Sequence, residues 1–216
     1  MFVSDWMTTA VFTVSPEDNI STAIKLLKEK NIKHLPVVKE GKKVVGILSD
    51  RDIKDYTPSK ATTLDIHELH YVLFNTKVKE IMVKKVYTTT PQTPIEEAAM
   101  LMFDKNIGCL PVVEKDKQLV GIISDRDLFR VLVDITGVRN KGSRFYVKIE
   151  DKLGATKEVI DIVRDHGFTI DSVLTTYEGV EKGYKKVVVR TKGKEGDFKG
   201  AVKAFESKYG NFFFPY

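Results

Sequence analysis

The sequence predicts a mixed α+β chain: two βαββα units packed on each other, followed by a smaller βαββαβ domain. Three observations carry this. The first 138 residues repeat themselves at a fixed offset of 75. Within each copy the apolar spacing alternates between a period near 3.6 and a period of two. After residue 143 the pattern changes to alternating strands around two amphipathic helices.

The repeat is clearest where "NIKHLPVVKEGKKVVGILSDRDI" (31–53) aligns without a gap to "NIGCLPVVEKDKQLVGIISDRDL" (106–128), with 14 of 23 positions identical. The same offset carries Met7 onto Met82, Pro16 onto Pro91, Ile20 onto Ile95 and Ala23 onto Ala98. Each copy opens with a short extended segment, "AVFTV" in the first. In the second copy Thr93 precedes Pro94, with Glu96 three residues after the threonine. This predicts an N-cap, a proline at the first helical position and a capping box. The register then puts the first copy's cap at Asp18. Apolar residues at 20, 23, 24 and 27, and at 95, 98, 99 and 102, form one helical face, and Asn31 and Asn106 suit the helix exits.

"HLPVVKEGKKVVGILS" then reads as two strands joined by a hairpin turn at Gly41, with the matching turn at Glu114–Lys117. After Asp52 and Asp127 the pattern becomes helical. One unit alone is too small to cover its own sheet, so two copies are expected to pack sheet against sheet with pseudo-twofold symmetry.

The order Met…Pro…helix, strand pair, "GILSDRD" or "GIISDRD", helix resembles a pair of CBS domains, the Bateman module, over residues 1–138. The motif G-h-x-S/T-x-x-D/N is met by Gly46 to Asp52 and by Gly121 to Asp127. Chemically it suits a sugar phosphate. A serine at a strand end offers its hydroxyl beside the N–H groups of a helix start, which favour phosphate. A carboxylate three residues on accepts from a ribose diol, and the glycine is expected to let a ligand approach the backbone. The resemblance implies adenine-nucleotide contacts at Ser49, Asp50, Arg51 and Asp52 in one copy and Ser124, Asp125, Arg126 and Asp127 in the other. It places the base against Val11, Thr13, His34, Leu35 and Pro36, and against Val86, Thr88, Cys109, Leu110 and Pro111. Arg51 and Arg126 pair either with phosphate or with the flanking aspartates. Ser and Asp also suit a helix cap, which is compatible with ligand binding.

The division expected is 1–56 for the first copy, 57–80 for a helical insert, 81–138 for the second copy and 143–216 for the last domain. In the insert, "DIHELHYVL" reads as a helix carrying His67 and His70. Two histidines without a third ligand do not make a metal site, so no metal is expected. Ser59, Lys60 and Thr62 lie on a polar loop within reach of a phosphate in this reading.

In the C-terminal third, "RFYVKIE" alternates as a strand and "DKLGATKEVIDIVRDHG" is a helix ending at Gly167. "FTIDSVLTTYEG" and "YKKVVVRTKG" are strands, "DFKGAVKAFESKY" is a helix, and "NFFFPY" is a final strand. This order is a ferredoxin-like sandwich. "EDKLGATKEVIDIVRDHGFTIDSV" resembles an ACT domain, which implies an amino-acid site at Asp151, Leu153, Gly154 and Ala155; a sheet used only for dimer packing is the alternative. Together the two copies and the trailing domain resemble the acetoin utilisation protein B group.

Residues 1–138 hold 19 basic and 19 acidic side chains and residues 139–216 hold 16 and 11, so the whole net charge of +5 lies in the last third. No zinc-ligand spacing, basic helix or aromatic-plus-basic strand motif accompanies it, so a solvated face is expected and nucleic acid is the lesser alternative. The single cysteine fits a reducing compartment, and no apolar run is long enough for a bilayer, so the expected address is the cytoplasm. The histidines lack a nucleophile partner, there is no P-loop, and Cys109 stands where the other copy has His34. The sequence thus predicts a non-catalytic, homodimeric regulator that needs no cofactor and binds AMP, ADP, ATP or S-adenosylmethionine as a regulatory ligand. A ligand-free interaction scaffold is the rival class.

Overall fold

The computed structural model describes residues 1–56, 73–210 and 213–215, and the loop and histidine readings at 59–70 fall outside them. The chain divides into two compact units, Met1–Leu128 and Phe129–Tyr216.

In the first unit, helix α1 (Ile20–Glu29) buries Ile20, Ala23 and Leu27, the face the spacing predicts. Strands β1 (His34–Lys39) and β2 (Lys43–Ser49) pair antiparallel, and helix α2 (Asp50–Tyr56) follows without a break. After the insert come a one-turn helix, α3 (Val78–Ile81), then α4 (Ile95–Lys105), β3 (Cys109–Val113), β4 (Leu119–Ser124) and α5 (Asp125–Ile135). The hairpin turns have left-handed residues where the reading put them, at Gly41 and at Asp116 and Lys117. Asn31 and Asn106 leave their helices with φ of 50° and 51°. Asparagine tolerates that conformation better than most residues.

Two local expectations fail. The helix caps do not form as predicted: Asp18 accepts from the Ser15 N–H and Thr93 from the Thr90 N–H, so these side chains close the turn before the helix. Asn19 and Pro94 occupy the cap positions without a side-chain bond to the helix N–H groups. The leading strand of each copy shrinks to one parallel bridge, Val14 to Val37 and Thr89 to Val112. Proline is the cause. Val14 donates to the Pro36 carbonyl and accepts from Val38 N–H; extending that ladder by two residues requires an N–H on residue 36. Pro111 imposes the same limit on the second copy. Both prolines are tolerated in mid-strand because Ile47 and Ile122, their partners in register, turn their own N–H and C=O to the opposite side.

Those opposite partners come from the other copy's leading sequence. Ile47 exchanges both backbone bonds with Val83, and Ile122 exchanges both with Thr8. Val78 is fully buried in the core of the first copy with Val14, Ile20, Leu35 and Leu48. A separate apolar cluster joins Val11, Val38 and Val44 to Val86, Val113 and Leu119, residues equivalent at the 75 offset.

The second unit runs β5 (Arg144–Glu150), α6 (Ala155–Asp165), β6 (Ile170–Thr176), β7 (Tyr184–Thr191), α7 (Phe198–Tyr209) and β8 (Phe213–Pro215). All pairings are antiparallel in the order β6-β7-β5-β8. Phe145, Val147 and Ile149 pack with Val187 and Val189 against Val159, Val163, Ala201 and Phe205 of the two helices. Helix α7 is N-capped by Asp197, whose carboxylate accepts from Gly200 N–H at 2.9 Å.

Candidate functional site

Ser49 and Ser124 end β2 and β4, and Asp52 and Asp127 fall in the first turn of the helices that follow. Asp52 Oδ2 accepts from Ser49 N–H at 2.7 Å and from its hydroxyl at 2.5 Å, while Asp52 N–H donates back to Ser49 Oγ at 3.2 Å. In the second copy Asp127 Oδ2 accepts from Ser124 N–H at 2.9 Å and from its hydroxyl at 2.8 Å. The first copy's Ser-x-x-Asp is therefore a reciprocal helix cap, and in the second the aspartate caps the serine in the same way, as the structural half of the sequence reading allowed. The helix starts are pinned further: Asp50 N–H donates to the Lys33 carbonyl and Asp125 N–H to the Gly108 carbonyl, both at 3.0 Å.

His34 faces Ser49 in register, as Cys109 faces Ser124. The two copies meet here. The His34 ring lies so close to Gly108 that a Cβ on that glycine would stand 2.9 Å from Cε1, with Asp125 Oδ2 also nearby at 3.9 Å. Burial holds the His34 imidazole below its ordinary pKa, against the opposing pull of the Asp125 and Asp52 carboxylates. One imidazole thus feels the first copy's ribose-reader candidate and the second copy's middle aspartate. Burial, aided by Asp125, pushes the Cys109 thiol up to about 12, so it stays protonated.

Of the other residues singled out, Leu35, Pro36, Leu110 and Pro111 are buried in their strands, and Thr13 and Thr88 are half-buried. Val11 and Val86 come together in the cluster joining the copies. Arg51 and Arg126 are exposed. Asp50 is held by Lys54 at 2.7 Å, and Asp125 Oδ1 accepts from the Arg126 backbone N–H at 2.6 Å.

The motif glycines have a different job from the one expected. A Cβ on Gly46 would stand 2.5 Å from Met82 Sδ and 3.3 Å from the Val83 carbonyl oxygen. One on Gly121 would stand 2.6 Å from Met7 Sδ and 3.2 Å from the Thr8 carbonyl oxygen. Each glycine makes room for the methionine and backbone of the other copy's leading segment, so that space is not open to a ligand. The paired methionines at the 75 offset were the available signal.

In the second unit Asp151 pairs with Lys185 at 3.0 Å, and its N–H donates to the Gly183 carbonyl. Leu153 is fully exposed, Gly154 is left-handed at φ 82°, and Ala155 is buried with its N–H given to Lys152. Among the described residues no three His, Cys, Asp or Glu side chains are grouped to hold a metal, and no helix is long and apolar enough to cross a membrane.

The family model "CBS domain" matches residues 3–59 and 78–134. An uncharacterised Methanocaldococcus jannaschii protein, MJ0188, is 29% identical over 91% of this chain and 71% of its own length. Homoserine O-acetyltransferase of Methanohalobium evestigatum is 34% identical over 61% of this chain, a match spanning only 24% of that enzyme. Among solved structures, the CBS pair of MJ0100 in complex with 5′-methylthioadenosine and S-adenosyl-L-methionine is 30% identical, with a TM-score of 0.52 over 61% of this chain and 95% of that one. A putative acetoin utilisation protein from Vibrio cholerae is 31% identical, with a TM-score of 0.54 over 64% and 95%. CBSX2 in complex with AMP is 27% identical, with a TM-score of 0.53 over 62% and 98%. With two matched copies of the motif and the exchanged segments that tie them together, this chain belongs to the CBS-domain family.

Proposed function

We propose that the chain is a non-catalytic, cytoplasmic regulator that binds an adenine nucleotide between its CBS copies, which pack with pseudo-twofold symmetry. One observation carries this reading: His34 sits where the first copy's Ser49–Asp52 pair and the start of the second copy's helix α5 come together. The 5′-methylthioadenosine and S-adenosyl-L-methionine of MJ0100 and the AMP of CBSX2 support an adenosine class of ligand; within it the proposal is AMP, ADP, ATP or S-adenosylmethionine.

In this reading ribose hydroxyls donate to Asp52 or Asp127, and phosphate lies beside Ser49 or Ser124 at the helix start. The base rests on His34, Leu35 and Pro36, or on Cys109, Leu110 and Pro111. Binding changes function only through unequal affinity for two arrangements of the copies. The domain division at 1–56, 57–80, 81–138 and 143–216 stands as part of this proposal. The last segment is a ferredoxin-like ACT-type domain, supported by its element order and its strand order β6-β7-β5-β8. The Asp151–Ala155 turn is its candidate amino-acid site, and the ligand state passes to it or to a partner protein. Homodimerisation is supported by Met100 and Phe103, exposed on α4 where the first copy has Lys25 and Lys28.

The scaffold reading draws on the caps, since Ser49 and Asp52 satisfy one another without a ligand. Thermal shift with AMP, ADP, ATP, S-adenosylmethionine and 5′-methylthioadenosine separates the two. A ligand at about 100 times its Kd adds ~2.7 kcal/mol. A shift with one of these compounds that disappears in Asp52→Ala/Asp127→Ala supports the sensor; no shift with any supports the scaffold.

A further inference from the structure

The register of the C-terminal sheet assembles what neither strand shows alone. On β5 and β7 the odd-numbered apolar side chains Phe145, Val147, Val187 and Val189 enter the core under the helices. The even-numbered side chains stand on the opposite face. There Arg144 pairs in register with Arg190, and Lys148 with Lys186. Tyr146 and Tyr184 lie on the same face, Arg144 over the Tyr146 ring at 5.8 Å and Lys148 over the Tyr184 ring at 4.8 Å. Like charges placed directly opposite weaken a sheet. Lys148 is met by Glu181 at the rim and Lys186 by the Glu178 carbonyl, yet the two strands set four cations against one carboxylate, Glu150, on this face.

From this geometry we infer that the half-exposed face of β5 and β7 opposite the helices binds single-stranded nucleic acid, RNA in the first instance. Cations track the phosphates, and two aromatic rings on a sheet accept unstacked bases. The rings stand four strand positions apart, about 13 Å at a rise of ~3.4 Å per residue, with Lys186 on the neighbouring strand between them. A second copy of the same face would bring four cations against four, so self-docking is disfavoured. A duplex keeps its bases stacked and leaves the rings without a role. The turn at Thr136–Asn140 bounds one end of the face, where Ser172 Oγ donates to the Thr136 carbonyl at 3.0 Å.

The test is fluorescence anisotropy of the full chain with a labelled 12-nucleotide oligo(U), against the same length of duplex RNA and against phosphatidylserine vesicles. Saturable binding to oligo(U) is expected, with a log–log salt slope of about −2 to −3, three to four phosphates at ~0.7 each. Tyr184→Leu and Tyr146→Leu, shown folded by their melting curves, should each weaken it by about 5- to 100-fold. Lys186→Glu should also weaken it and flatten the salt slope. Absence of binding at 50 mM salt, equal affinity for duplex or vesicles, or folded tyrosine and Lys186 variants that bind as the parent does would each overturn the inference.

Discussion

Copy 1 carries Lys33 and His34 where copy 2 carries Gly108 and Cys109, although all five strand pairs of the second hairpin recur in the first at the same offset. The shared part is what the fold requires: proline facing a strand residue that bonds elsewhere, glycine under a methionine, serine capped by aspartate. The differing part lies where the copies meet. An imidazole fills the space above Gly108, space that a lysine side chain in that position would contest. The two copies thus share one frame, and the residues at their contact make them chemically unequal, with an imidazole in one and a buried thiol in the other.

The shared frame is broken most severely at the glycines. Gly46→Val should cost about 2–3 kcal/mol in urea unfolding, because its side chain meets both the Met82 thioether and the Val83 carbonyl. Pairing it with Met82→Ala should recover part of that cost, a coupling readable from the double-mutant cycle. A Gly46→Val chain as stable as the parent would mean the exchanged segments do not lock the copies.

The asymmetry is tested next. Gly108→Ala should destabilise by about 1–2 kcal/mol through contact with the His34 ring, whereas Lys33→Ala at the equivalent position should stay within ~0.5 kcal/mol. The α4 surface sharpens the comparison from outside. If Met100 and Phe103 seat a second copy, Phe103→Lys restores the charge that copy 1 has at Lys28. It should then weaken the dimer about tenfold by sedimentation, with melting temperature little changed.

The smallest effect is that of pH. The folded-state pKa of His34 is depressed below its ordinary 6.5, so the neutral ring is the one the fold accepts. The corresponding stability is complete above that ordinary value and is lost as pH falls through the folded-state value. Melting temperature should therefore fall on going from pH 7.5 to 5.5, and His34→Gln should remove part of that slope.

Much of this was legible in the residues. The hairpins, the α1 and α4 faces and the left-handed asparagines follow from spacing and from local conformational preference. The Ser-x-x-Asp caps were legible as chemistry because both partners lie within one helical turn. What could not be read depended on where distant chain crosses. Gly46 and Met82 are 36 residues apart, and nothing local says that the methionine of one copy lies on the glycine of the other. The shortened leading strand was readable in principle, since Pro36 lacks the required N–H, but only once the parallel partner was known. Asp18 and Thr93 were placed one role away from their true one, because a turn closure and a helix cap use the same residue types at nearly the same position. On β5 and β7, charges that look scattered along the sequence become paired only through register.

The central claim is that the paired Ser-x-x-Asp motifs read an adenine nucleotide, and calorimetric titration tests it most directly. AMP, ATP and S-adenosylmethionine would be titrated into the parent chain, Asp52→Ala and Asp127→Ala. Each variant should lose about 1 kcal/mol of ligand-free stability with its cap and still be folded. The account predicts saturable heat with at least one ligand in the parent, and an affinity loss of about tenfold or more in at least one variant. No heat with any of the three ligands, or unchanged affinity in both folded variants, would contradict it.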